Sequence, residues 1–170
     1  MEIRLLKPDD ANMYWDLRLE ALSNNPEAFA TSYEEAMSKE DPVREVSKRL
    51  ADPDSFTFGA IWDDEIVGMM TLVLQDTSKL KHVAHLIGVY VSPVVRNKGV
   101  GGQLLKKTIE KAKEEGYIEK INLSVVTNNE SAIRLYEKEG FYTWGTEKKA
   151  LKMNGAYYDE SHMSLELSDE

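Results

Sequence analysis

The chain has 170 residues, 42% hydrophobic and 30% charged, with a formal net charge of −9 and no cysteine. That length can bury a core unaided, no cysteine means no disulfide framework or thiolate metal site, and the acidic balance argues against a nucleic-acid surface, which needs cations to neutralise phosphates. No apolar run approaches the ~18 residues of a membrane span, and the charged start "MEIRLLKPDD" has no apolar leader core, so the expected compartment is the cytoplasm, away from membranes.

Residues 2–6, "EIRLL", read as a first strand, and Pro8-Asp9-Asp10 opens a helix to about Leu22, ended by "NNP". The stretch "EAFATSYEEAMSKED" is mixed and partly irregular, with a short helix after it from about Val43 to Leu50. "SFTFGAIWDDEIVGMMTLVLQD" reads as two strands around an acidic turn at Asp63-Asp64. "HVAHLIGVYVSP" is a nearly continuous apolar run, as in a strand buried on both faces.

A glycine-rich stretch then opens a helix to about Glu115, whose Leu104, Leu105, Ile109 and Ala112 recur on one face, with Gly116 as its cap. "KINLSVV" is a further strand, and Asn128-Asn129 precede a helix stopped at Gly140. Two last strands flank Asn154-Gly155, a hairpin signal, with pairing expected to stop short of the turn. Met163, Leu165 and Leu167 alternate with polar residues, as when one strand face meets the core. The expectation is one mixed α/β (α+β) domain over residues 1–170, with about seven strands and about four helices.

The chemistry concentrates at Arg96-Asn97-Lys98-Gly99-Val100-Gly101-Gly102. Glycines in the first turn of a helix expose orphan N–H groups at the positive end of its dipole, which suits an anion and above all phosphate. Arg96 and Lys98 add positive charge. A nucleotide P-loop needs Gly-Lys-Ser/Thr, whereas Gly102 is followed by Gln103; the G-x-G-G spacing also misses the dinucleotide fingerprint. Close helix packing is the plain alternative for these glycines.

"VSPVVRNKGVG" resembles the pyrophosphate-binding motif of the GNAT superfamily of acyl-CoA-dependent N-acetyltransferases, and "NNESAIRLYEKEGF" resembles that superfamily's second motif, matching at Asn129, Ala132, Leu135, Tyr136, Gly140 and Phe141. The resemblance implies a mostly antiparallel mixed sheet splayed between its fourth and fifth strands. It also implies acetyl-CoA as cosubstrate, held by backbone amides from Asn97 to Gly102, with Asn129 on the pantetheine arm and Lys138 near the outer phosphate. The N–H of Val89 would face the thioester carbonyl and that of Val91 a pantetheine amide. Tyr136 matches the family's general acid, though it also fits a core aromatic. His85, expected on the same strand face as Val89 and Val91, is the candidate base.

No metal is implied, since the three histidines show no ligand spacing with nearby acids. Phe29, Tyr33, Glu34, Tyr158, Asp159 and His162 are the candidates for the acceptor pocket, with the carboxylates suiting a cationic acceptor. The resemblance points to a small amine, an amino-acid-like compound or a peptide N-terminus as acceptor, and to a homodimer as a frequent assembly. A module that binds acyl-CoA without catalysis is the alternative from another class.

Overall fold

Two adjacent aspartates, Asp63 (φ 54°) and Asp64 (φ 61°), take the left-handed conformation that a tight two-residue hairpin requires. They join β2 (Ser55–Trp62) to β3 (Glu65–Leu74), the middle of the apolar half of the sheet. β1 (Glu2–Leu5) pairs antiparallel with β2, and β4 (Val83–Val91) with β3. In this computed structural model residues 1–167 are described, and they form one seven-stranded sheet in the order β1-β2-β3-β4-β5-β7-β6. Here β5 is Lys120–Val126, β6 is Tyr142–Met153 and β7 is Ala156–Glu166.

Every neighbouring pair is antiparallel except β4 and β5, which run parallel and pair only at Val83↔Lys120, Ala84↔Ile121 and His85↔Asn122. Beyond His85 the strands diverge, as the resemblance implies. β6 and β7 pair right up to the Asn154-Gly155 turn, at Met153↔Ala156, so the expected gap before the turn is absent. The irregularities lie farther back, at Thr143/Gly145 and Glu147/Leu151.

One sheet face is covered by α4 (Val100–Glu114), which buries Val100, Leu104, Leu105, Thr108 and Ala112 at helical spacing, and by α5 (Glu130–Lys138) with Tyr136. Met163 and Leu165 face this same core. The other face carries α1 (Ala11–Asn24) and α3 (Pro42–Leu50), whose Leu17, Ala21, Val46 and Leu50 pack on Ile66 and Met69. The segment expected to be irregular contains α2 (Tyr33–Met37), a single short helix closed by a Ser32/Glu35 capping box, which makes five α-helices rather than four. No described helix is long and apolar enough to cross a membrane.

β4 is less buried than its composition predicts. Two of its residues, Gly88 and Val89, stand where β3 offers only Met70, because the register passes from Met69↔Tyr90 to Thr71↔Ile87. This bulge, with Gly88 at φ 60°, reverses the alternation of side chains. Ala84, Leu86, Val89 and Val91 therefore all face the α4 core, while Tyr90 faces α1. His85 lies on the α1 side, opposite Val89 and Val91, which corrects the shared face expected from simple alternation.

The wall formed by α1 is anchored at its start. Asp10, buried just before α1, accepts two 2.8 Å bonds from the Arg4 guanidinium and one of 2.7 Å from the Lys7 N–H. The Arg4 hydrogen bond is the main reason its carboxyl sits below its usual value near 3.8, against the opposing effect of burial. Depressing a folded-state carboxylate pKa stabilises the fold above the unfolded value, and that contribution is lost as pH falls through the folded one. Asp10→Asn should therefore cost about 1–3 kcal/mol at pH 7, with the difference from wild type shrinking below pH 3.8 in denaturant titrations.

Candidate active site

Three adjoining cavities, sharing lining residues, follow the line where β4 leaves β5. The first, about 510 Å³, lies beside the glycine turn. Gly99 takes φ 74° as the N-cap of α4, and the first bond of that helix runs from the Gln103 N–H to the Gly99 carbonyl at 3.1 Å. The N–H groups of Val100, Gly101 and Gly102 thus have no protein acceptor among the described residues. A Cβ on Gly101 would sit 3.1 Å from Leu135 Cδ2, so the bare glycine also lets α5 approach. Both readings of these glycines hold: open donors on one side, close helix packing on the other.

Of the residues expected here, Val89, Val91, Arg96, Gly99 to Gly102, Asn129 and Tyr136 line this cavity. Asn97 and Lys98 do not: Asn97 forms the exposed turn at φ 61°, and the Lys98 ammonium lies 4.5 Å from the Trp62 ring centre. Arg96 folds back as a clasp, donating to the Val91 carbonyl at 3.1 Å and to Asn25 Oδ1 at 3.0 Å. Lys138 is exposed at the end of α5, off the cavity wall. Asn129 caps α5 by accepting from the Ala132 N–H at 3.3 Å, which leaves its amide N–H₂ unused among the described residues.

The second cavity, about 110 Å³, is the gap itself, walled by Ile87, Gly88, Val89, Ser124, Val126 and Tyr136. Neither Gly88 nor Val89 has a register partner on β3 or β5, so the bulge leaves backbone polar groups at the gap. Tyr136 is 4% exposed, and its hydroxyl has no protein partner among the described residues. Burial pushes the phenol far above its usual value, so the hydroxyl stays protonated at neutral pH and is available as a donor.

The third cavity, about 430 Å³, opens on the α1 side of the sheet. His85 and His162 both reach it, together with Phe29, Asn122, Ser124 and Trp144. Burial, and then the Lys120 charge, hold the His85 imidazole below its usual value near 6.5, so it is neutral at pH 7. His162 stacks on Trp144 and closes a hydrogen-bonded chain, with Ser124 Oγ at 2.8 Å from Nδ1 and Glu147 Oε2 at 3.0 Å from Nε2. Glu160 also comes near, so that ligand atoms of Glu147, Glu160 and His162 lie within 4.8 Å of one another. Spacing along the chain did not reveal this cluster because its members come from facing strands.

Only Phe29 and His162 of the expected acceptor residues line that cavity. Tyr33, Glu34 and Tyr158 line a separate groove of about 500 Å³ toward the tip of the β6–β7 hairpin. Asp159 is engaged in the β6 irregularity, where the Lys149 N–H donates at 2.8 Å and the Lys148 ammonium at 2.9 Å, and these bonds lower its pKa. The cavity on the α1 side also receives Arg18 and Arg49, which no sequence motif singles out. Gly88 was legible in principle, since an isolated glycine inside a strand pattern signals a bulge.

The family model described as the Acetyltransferase (GNAT) family matches residues 15–141. The L-amino acid N-acetyltransferase of Escherichia coli (strain K12) is 35% identical over 118 residues, 69% of this chain and 72% of that protein. The acetyltransferase of the GNAT family from Streptococcus pneumoniae superposes with a TM-score of 0.85 at 22% identity, over 98% of this chain and 99% of that one. The yncA structure from Salmonella typhimurium, solved with its cofactor acetyl-CoA, gives a TM-score of 0.84 at 18% identity, covering 100% and 95%. These two likenesses concern the fold.

Proposed function

Because the chain belongs to the GNAT acetyltransferase family, we propose that this N-acetyltransferase moves the acetyl group of acetyl-CoA to a primary amine by direct attack in a ternary complex. One observation carries the reading: the gap at Gly88–Val89 connects a cavity of free helix N–H groups on one side with an acceptor cavity on the other. Two substrates entering from opposite sides meet there without a covalent enzyme intermediate, and the chain has no cysteine to carry an acyl group.

The chain's fit to the cosubstrate rests on the unpaired N–H groups of Val100, Gly101 and Gly102, which suit a diphosphate at the dipole's positive end. Val91 and Asn129 line the same cavity, which supports assigning them to the pantetheine arm. Bound acetyl-CoA supplies a thioester carbonyl and a thiolate leaving group. The N–H of Val89, at the bulge that walls the gap, is the donor for negative charge developing on the carbonyl oxygen. Tyr136, buried and protonated, donates a proton to the departing sulfur.

The amine must shed a proton. Ser124 lines both the acceptor cavity and the gap, and its hydroxyl touches His162, which Glu147 backs. Ser124 thus passes the proton to His162 Nδ1, and the Glu147 carboxylate steadies the resulting cation. His85 is the second candidate, being neutral and in the same cavity but absent from the gap lining.

Calorimetry should find acetyl-CoA binding in the micromolar range, abolished by Gly101→Glu in a protein that still melts cooperatively; a folded wild type that does not bind would remove the acetyltransfer reading. Tyr136→Phe should lower kcat by about 100-fold or more while leaving acetyl-CoA affinity unchanged, and an unaltered kcat would strip Tyr136 of the acid role. Ser124→Ala and His162→Gln should each lower kcat about tenfold or more, the double variant no further than either alone, as members of one chain do. If instead an acid limb below pH 6.5 disappears in His85→Ala, His85 is the base.

A further inference from the structure

Arg18, on α1, and Arg49, on α3, come together at the acceptor cavity. Neither guanidinium has a salt-bridge or hydrogen-bond partner among the described residues. Arg4, by contrast, is held bidentate by Asp10, and Arg96 donates twice to the protein. Each lies instead against an aromatic ring, Arg18 at 4.5 Å from the Phe29 centroid and Arg49 at 5.0 Å from that of Tyr14. A ring face steadies a guanidinium plane without consuming its N–H edges, which remain available in the fork geometry that matches a carboxylate.

The surroundings make this costly without a ligand. Arg18 is half-buried, and burial chiefly, with the Arg49 charge adding repulsion, disfavours its cationic form. No Asp or Glu lines the cavity. The acid nearest in the adjoining cavity, Glu45, is paired with Lys39. In a chain of formal net charge −9, the one acceptor cavity at the gap is therefore lined by two arginines and two histidines. Carboxylates expected to attract a cationic acceptor, Glu34 and Asp159, are elsewhere.

We infer that Arg18 and Arg49 form a carboxylate-binding subsite, and that the acceptor is a free amino acid rather than a simple amine or a peptide N-terminus. The inference rests on the proposed acetyl transfer for its reaction and on the arginine pair for its selectivity. A free amino acid carries its amine two bonds from the carboxyl carbon, so anchoring the carboxylate fixes where the nucleophile stands. The amine is then held within the cavity that Ser124 and the bulge at Gly88 also line. A peptide N-terminus has an amide where the carboxylate would be, and it would leave the half-buried Arg18 cation unpaired, whereas Arg49 is exposed.

The test compares L-leucine, L-glutamate and L-lysine with their carboxamides as acceptors for the 170-residue protein and acetyl-CoA. The free acid should exceed its amide by about 100-fold in kcat/KM for the best of the three. Arg18→Gln and Arg49→Gln should each collapse that ratio, and Arg49→Lys should restore it only in part, since an ammonium lacks the fork. Melting temperature and acetyl-CoA affinity, both expected near wild type, certify the fold of each variant. A wild-type ratio near one, or a ratio that survives in the double variant, overturns the subsite. Calorimetry with N-acetyl-leucine, N-acetyl-glutamate and N²-acetyl-lysine and their amides reads the same preference without turnover. A carboxylate preference in that arm, lost in the arginine variants, alongside failed acetyl transfer would sink the reaction and leave the subsite standing.

Discussion

The parting of β4 from β5 is the constraint on which the rest depends. The two strands share three paired positions, and then β5 continues to Val126 as the partner of β7, up to Val126↔Glu160. β4 meanwhile remains bound to β3, but with Gly88 and Val89 pushed out of register. A parallel pair that opens in this way leaves backbone polar groups and a narrow void in the middle of a sheet, where they would ordinarily be satisfied by a neighbouring strand. The void is where a strand-like ligand can take the missing partner's place.

The bulge also decides which side chains meet which cavity. Because it reverses alternation, Val89 and Val91 turn toward α4 and the glycine turn, while His85, earlier in the strand, faces α1. One strand thereby serves two cavities of different character on opposite faces of the sheet. Gly88 at φ 60° makes this inexpensive, since an L side chain there would be strained.

Electrostatics separates these cavities from the rest of the surface. The molecule is acidic overall, yet both ends of the cleft present positive character: the N-terminus of α4 through its backbone, and the acceptor cavity through Arg18 and Arg49. Net charge governs long-range behaviour such as solubility and steering. It says little about a cavity lined by a handful of groups.

The sequence by itself determined the glycine turn, the cap at Asn129, the acidic hairpin at Asp63-Asp64 and the inward face of α4. Each depends on backbone sterics, capping or helical periodicity over a few neighbouring residues, so a short window holds the whole cause. The family resemblance was legible because two such windows, at residues 91–101 and 128–141, carry it. Only the tertiary structure decided the cavity on the α1 side, whose lining is drawn from α1, α3, β3, β4, β5, β6 and β7. Whether Arg18 finds a carboxylate, or His162 a serine, depends on pairings across tens of residues and on a one-residue bulge that exchanges the faces of β4. No local pattern encodes that registration, because it is fixed by how the sheet closes around its own gap.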